Sequence, residues 1–332
     1  MTDTITIEDV QAAAARINVH RTPVLTSTAI SSIASENAGV PLELFFKCEL
    51  LQKTGSFKIR GATNAVQLLT DADAGKGVVT HSSGNHAQAL ALAARMRGIP
   101  AYVVMPNNSP QVKKDAVKAY GAQVIECEPT LEQRETTAQK VIDETGATFI
   151  HPYNNPHVIA GQGTIALETV AQEQQLDALV VPVGGGGMLS GCSIATKALS
   201  PRTRVFAAEP LDVNDTYRSY AAKERVTNTV GARSVADGLL TNLGEIAFSV
   251  VMENVDGVFV VTEKEIIQAM QLVWGRMKLC IEPSAAVGLA VVLYNKDFHA
   301  RVKQDELRRI GIILCGGNVD FANAVALFEK FK

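Results

Sequence analysis

Along this chain, short apolar runs rich in β-branched residues alternate with longer stretches in which apolar residues recur at helical spacing. The short runs predict strands at 44–48, 78–81, 101–105, 123–127, 148–151, 178–183, 204–208, 258–261 and 310–314. The longer stretches predict helices, among them 58–69, 87–96, 110–120, 131–144, 161–172, 188–199, 263–273 and 284–295. Alternation of this kind is the signature of β-α units on a parallel sheet, so an α/β fold is expected. Three consecutive β-α units between about residues 77 and 148 predict a small inserted domain, 77–151, within a larger discontinuous one, 1–76 and 152–332. The most polar connection, around 221–234, is expected as a surface loop.

Composition narrows the partners. The 332 residues exceed the roughly 250–300 at which a single core stops growing, which leaves room for a buried site. Apolar residues at 47% and charged ones at 20% predict a packed globular chain. The 31 basic and 34 acidic residues are interspersed with no basic block, which argues for a small-molecule partner over nucleic acid or an anionic membrane. Residues 1–9 are polar and acidic, without the pattern of a signal or transit peptide, so a cytoplasmic protein is expected. Apolar stretches such as 285–294 fall short of the ~18 residues of a membrane span. Cys48, Cys127, Cys192, Cys280 and Cys315 are odd in number and widely spaced; reduced thiols are expected, and no CxxC metal site is legible.

Four segments carry candidate chemistry. Lys53-Thr-Gly-Ser-Phe-Lys-Ile-Arg60 puts Lys58 just after a Gly/Ser turn and inside an apolar helical run, where desolvation would turn an amine into a base or nucleophile; alone, it reads more readily as a solvated lysine at a helix start. His81-Ser-Ser-Gly-Asn-His86 joins a strand to a helix and suits an anion, although Ser82, Ser83 and Asn85 are also ordinary capping residues. Gly184-Gly-Gly-Gly187 lies at another strand-to-helix junction and reads as a phosphate cradle, with a loose turn as the alternative. No Lys-Ser/Thr pair follows, which excludes a Walker A loop, and no GxGxxG with a downstream acid marks a dinucleotide site. Leu314-Cys-Gly-Gly-Asn318 ends the last strand with a thiol that could abut a flat ligand or be simply structural.

In this order and spacing the four segments resemble the serine racemase and serine/threonine dehydratase family of fold-type II pyridoxal-phosphate enzymes. The likeness runs from Thr22-Pro-Val-Leu-Thr to Asn318-Val-Asp320 and includes Lys47-Cys-Glu-Leu, Val158-Ile-Ala-Gly-Gln-Gly-Thr, Pro182-Val-Gly-Gly-Gly-Gly and Ile281-Glu-Pro. The racemase branch is favoured by Thr80-His-Ser-Ser-Gly-Asn-His, Leu272-Val-Trp and Arg276-Met-Lys-Leu. The resemblance implies a large cofactor-binding domain and a small mobile one. It makes Lys58 the Schiff-base lysine, with Phe57 on the ring, Asn85 on the phenolic oxygen, Gly184, Gly185, Gly186, Gly187 and Met188 around the phosphate, and Cys315 facing the ring nitrogen. Ser83 would be the second base, with the substrate carboxylate on Ser82, Ser83, Gly84, Asn85 and His86, and Arg134 helping to close the small domain.

The implied activity is interconversion of L- and D-serine with β-elimination to pyruvate and ammonia. A dehydratase of serine, threonine or 3-hydroxyaspartate without significant racemisation is the alternative, and by the resemblance Tyr153-Asn154, in a segment near the cofactor that differs between the branches, bears on the choice. The resemblance also implies Mg²⁺ or Ca²⁺ at Glu209, the Val213 carbonyl and Asp215, and a homodimer. For ATP as effector it points to Ser27, Thr28, Lys53, Thr54, Gln88, Tyr120, Arg276 and Asn318.

Overall fold

A computed structural model describes residues 5–332; of the N-terminal stretch read above, residues 1–4 lie outside it. The larger sheet has six strands in the order β1 (Val24–Thr26), β2 (Glu43–Cys48), β10 (Arg309–Leu314), β7 (Ala178–Pro182), β8 (Arg204–Pro210) and β9 (Gly257–Val261). It is parallel except where β1 runs antiparallel to β2. The smaller sheet is wholly parallel, in the order β5 (Gln123–Cys127), β4 (Ala101–Pro106), β3 (Val78–His81) and β6 (Thr148–Phe149). β7 and the inner part of β8 are buried along their whole length, as strands covered on both faces must be.

Fifteen α-helices complete the described chain. They are α1 (Ile7–Arg16), α2 (Thr28–Ala38), α3 (Lys58–Gln67), α4 (Asp71–Lys76), α5 (Asn85–Arg97), α6 (Gln111–Ala119), α7 (Leu131–Thr145), α8 (Pro156–Gln172), α9 (Gly187–Leu199), α10 (Asp215–Ala222), α11 (Glu245–Asn254), α12 (Glu263–Leu272), α13 (Pro283–Tyr294), α14 (Lys296–Gln304) and α15 (Phe321–Lys330). α13 is apolar on every side, and it is buried from Pro283 to Leu293. The main core includes this helix with the large sheet, α8 and α9, while two smaller cores flank the four-stranded sheet.

Each of the nine predicted strands is present, with ends shifted by a residue or two. β8 runs two residues past the predicted 208, to Pro210, and at 148–151 β6 stops two residues early, at Phe149. Ile150 still donates to Val79 O at 2.9 Å, but His151 Nδ1 then accepts from Tyr153 N and Asn154 N and turns the chain out of the sheet. α8 starts at Pro156, ahead of the predicted 161, because Asn155 caps it through His157 N and Val158 N with proline at the first position. The strand β1 and the helices α1, α2, α4, α10, α11, α14 and α15 lie outside the predicted set. The polar stretch after α10 is a loop, with Val230 fully exposed.

Three helices set the spacing of the site. A Cβ on Gly161 would lie 2.6 Å from Gly61 Cα, and one on Gly191 would lie 2.5 Å from Gly163 N. α3, α8 and α9 therefore cross at backbone contact, which ties the helix that begins at Lys58 to the helix that begins at the glycine loop.

Candidate active site

The segments singled out in the sequence leave the carboxyl ends of parallel strands, where open α/β sheets place their ligand sites. Residues 49–57 follow β2, the four glycines follow β7, Cys315 follows β10, and Ser82 to Gly84 follow β3 of the smaller sheet. The turn before Lys58 is strapped to the end of β10: Ser56 bridges Gly316, Phe57 N donates to Cys315 O at 3.0 Å, and Gly317 N donates to Gly55 O at 2.9 Å. Asn318 Nδ2 extends the strap, donating to Thr54 O at 2.7 Å and to Asn85 Oδ1 at 2.8 Å. Thr54 sits in the left-handed region at φ 63°, unusual for a β-branched residue.

Lys58 is the first residue of α3, and its Nζ donates to Pro152 O at 3.0 Å and lies 5.1 Å from the centre of the Phe57 ring. Burial pulls its pKa from 10.5 down to about 8, against the raising influence of Cys315 and Glu282. Cys315 is itself buried, and burial first, then Glu282, pushes its thiol well above the usual range, so it is a neutral group.

Gly187 opens α9, leaving the N–H groups of its first turn without intrahelical partners, and Gly186 adopts φ 86°, which a side chain would strain. Gly185 is needed for another reason. The Tyr153 ring covers it so closely that a Cβ would meet that ring at 2.3 Å. Ser190 Oγ, in the first turn of α9, is buried without a hydrogen-bond partner among the described residues.

Ser82, Ser83 and Gly84 are half-buried, and Gly84 N donates to Ser82 Oγ at 3.3 Å. Asn85 opens α5, and its Nδ2 donates to both oxygens of Glu282 at 2.9 and 3.2 Å. The His86 ring turns away to the strand, with Nε2 3.2 Å from Ile150 O; burial, with Lys58 adding to it, pushes its pKa down to about 3. A neutral ring that donates from Nε2 leaves Nδ1 as an acceptor, and that atom is buried and unpartnered among the described residues. What His86 offers the turn is thus its backbone N–H. Arg134, on α7, has a buried Nε that is likewise without a partner, and its charge acts on Cys127 and His81.

Glu282 carries no role in the sequence reading, and Tyr153 figures there only through its segment near the cofactor. Glu282, the N-cap residue of α13, is buried, and burial followed by the charge of Asp237 lifts its carboxyl to about 7. Its signal is an acid in an apolar stretch directly before a helix-opening proline. Tyr153 closes the glycine loop, its ring packed edge-on against His151 at 4.5 Å.

The carboxylates assigned to a cation lie at the end of β8, for Glu209, and at the first residue of α10, for Asp215. Glu209 accepts from Thr216 N and Tyr217 N at 3.0 and 2.8 Å, and Asp215 accepts from Asn228 Nδ2 and Leu243 N at 2.6 and 2.7 Å. Both are buried, and neither forms a salt bridge among the described residues. Burial and then Asp215 raise Glu209 to about 8; Asp215 is raised chiefly by burial. The Val213 residue is buried beside them, while no group of three or more His, Cys, Asp or Glu side chains gathers among the described residues.

The positions assigned to a nucleotide are joined only in part. Thr54 and Asn318 are bonded as above, Lys53 Nζ donates to Asn18 O at 2.9 Å, and Gln88 lies on α5, which packs on the 53–55 turn. Tyr120 caps the end of α6. Ser27 caps α2 just ahead of Thr28, and Arg276 lies in the π-turn after α12.

A half-buried amine of lowered pKa, a ring beside it, a four-glycine loop at a helix start and a neutral thiol suit an aldehyde-bearing, phosphorylated ring. These residues fit pyridoxal phosphate. Comparison with known proteins agrees: residues 16–316 match the family model described as pyridoxal-phosphate dependent enzyme. The chain is 49% identical over 323 residues to a serine racemase of Dictyostelium discoideum, covering 96% of this chain and 97% of that protein. It is 48% identical over 317 residues to a beta-hydroxyaspartate dehydratase of Paracoccus denitrificans, covering 95% and 96%. The structure of maize serine racemase superimposes with a TM-score of 0.92 at 43% identity, covering 98% of each chain. A matching fold and a likeness over nearly the whole sequence make this chain a member of the pyridoxal-phosphate dependent enzyme family.

Proposed function

We propose that this protein is a serine racemase that also eliminates the β-hydroxyl of serine to give pyruvate and ammonia. The observation that carries the reading is the half-buried Lys58 amine, its pKa lowered to about 8, at the start of a helix locked to the glycine-loop helix. Pyridoxal phosphate, when bound, supplies an electron sink for charge developing at the substrate's Cα. Gly184 to Gly187 and Met188 hold its phosphate, Phe57 packs on its ring, Asn85 bonds its phenolic oxygen, and Cys315 meets the ring nitrogen as a neutral thiol.

The substrate carboxylate lies on the backbone of Ser82 to His86, with Arg134 closing over it. Lys58 Nζ takes the Cα proton of L-serine on one face, and Ser83 Oγ returns a proton on the other to give D-serine. When the β-hydroxyl leaves before that proton arrives, the product is pyruvate with ammonia. The same two groups acting in reverse order handle D-serine.

A second reading, a dehydratase of serine, threonine or 3-hydroxyaspartate without significant racemisation, is favoured by the likeness to the Paracoccus dehydratase. A panel of L- and D-serine, L-threonine and 3-hydroxyaspartate, scored for enantiomer and for keto acid, separates the two. The proposed outcome is D-serine from L-serine alongside pyruvate; keto acid with no inversion would leave the dehydratase.

Four further assignments belong to this reading. The 77–151 segment is a small mobile domain that closes on the part formed by 1–76 and 152–332, a division supported by its separate sheet. Mg²⁺ or Ca²⁺ is held by Glu209, Asp215 and the Val213 carbonyl, which two buried carboxylates without a cationic side chain support. ATP acts as effector at the 53–54 turn with Gln88, Tyr120 and Asn318, together with Ser27, Thr28 and Arg276. The enzyme works as a cytoplasmic homodimer on small amino acids, without nucleic-acid or membrane partners; no helix of the described residues is long and apolar enough to cross a membrane.

A further inference from the structure

Behind the lysine turn, four charged side chains meet, three of them buried and Glu168 partly so. Arg60, two residues beyond Lys58, donates from Nε and Nη2 to the two oxygens of Glu49 at 2.7 and 2.8 Å. From Nη1 and Nη2 it donates to the two oxygens of Glu168 at 2.8 and 3.0 Å, and Nη1 also reaches Thr164 Oγ1 at 3.1 Å. Lys47 Nζ bonds Glu168 at 2.6 Å and Thr22 O at 2.8 Å. Two cations face two carboxylates, so the group is neutral. Arg60, Lys47 and Glu49 are fully buried.

A buried ion cluster is a poor device for stability alone, because well-packed apolar residues of the same volume do as well or better. What it supplies is geometry. A planar guanidinium with a carboxylate paired to each of two edges has one orientation open to it, and its anchors sit on separate parts of the chain: Glu49 in the turn after β2, and Glu168 on α8. Arg60 shares the first turn of α3 with Lys58, its N donating to Phe57 O at 3.0 Å. Fixing the guanidinium therefore fixes the rotation and height of that turn, and with them the direction in which the Lys58 side chain leaves the helix.

We propose that Arg60 is a positioning residue for the reaction: the Glu49–Arg60–Glu168 pairing sets where Lys58 Nζ enters the site. This rests on the reading of Lys58 as the cofactor-bearing lysine. Lys47 belongs to the same cluster but has no bond to α3, so it separates a general loss of stability from a loss of position.

The test uses purified holoenzyme with the variants Arg60→Lys, Glu168→Gln, Lys47→Met and Lys58→Ala. Visible circular dichroism of the bound cofactor reports its orientation, pyruvate release from L-serine gives kcat and KM, and thermal melting gives stability. Arg60→Lys keeps the charge but loses one paired edge. Its visible dichroism band should change, and kcat should fall about ten- to a hundred-fold with KM within about two-fold. Lys47→Met should melt earlier with the band and kcat of the parent. If Arg60→Lys does not fold, Glu168→Gln, which keeps the Glu49 pair, carries the same expectation in weaker form. A parental band and kcat in the folded Arg60 or Glu168 variant would overturn the proposal, as would Lys47→Met altering both as strongly as Arg60→Lys. A parental cofactor band in Lys58→Ala would be a different failure, removing the lysine assignment beneath it.

Discussion

Lys58 is an amine held where its charge is disfavoured, and the consequence is a predicted pH dependence. With a pKa of about 8 the nucleophilic, neutral amine is roughly a tenth of the population at pH 7 and dominant above 8. The rate at which cofactor-free protein captures pyridoxal phosphate, followed by its visible band, should rise with pH through about 8 and level off. A flat profile, or a midpoint near the ordinary lysine value, would mean that burial does not tune this amine. Residues of this kind were legible because their types are rare in such places: a lysine after Gly-Ser, or four glycines in a row. Glu282 was not, and of Tyr153 only its nearness to the cofactor was, since a carboxylate that bonds Asn85 and a ring that covers Gly185 owe their roles to contacts with segments far away in the chain.

Elements are placed by how closely they can approach. α3, α8 and α9 meet at glycine pairs, and the distance between the lysine turn and the four-glycine loop follows from those crossings. Gly161→Ala would put a methyl 2.6 Å from Gly61 Cα and 2.7 Å from Arg60 O, against backbone that cannot turn aside. Overpacking of this kind should cost about 1–3 kcal/mol, measured by denaturant unfolding, and should weaken cofactor retention as well. Unchanged stability would show that the helices can slide apart freely. Hydrophobic period revealed α8 and α9 through their apolar runs, whereas α10 and α14 carry mixed, polar turns and β1 has only three residues. The early start of α8 was hidden by a proline that reads as a break until Asn155 is seen to cap the helix.

At the scale of the whole molecule, two sheets direct the carboxyl ends of their strands toward chemistry, and the third-party charge lies at the end of β8. Burying Glu209 and Asp215 together without a cationic partner should make the protein respond to a divalent ion. Mg²⁺ or Ca²⁺ at a hundred times its Kd should add about 2.7 kcal/mol, seen as a higher melting temperature that chelator reverses and Glu209→Ala abolishes. An unchanged melt in all arms would make the pair a capping device for α10. The α/β class and the strand order of a cofactor enzyme could be anticipated from alternation alone only as far as the class; the order β1-β2-β10-β7-β8-β9 arises from long-range pairing that local pattern does not encode. The central claim is inversion of serine by two groups, Lys58 and Ser83, and it is tested most directly by following D-serine and pyruvate from L-serine in the parent and in Ser83→Ala. The account predicts D-serine from the parent, and from the variant pyruvate with racemisation lost; racemisation that survives unimpaired in Ser83→Ala, or is absent from the parent, would contradict it.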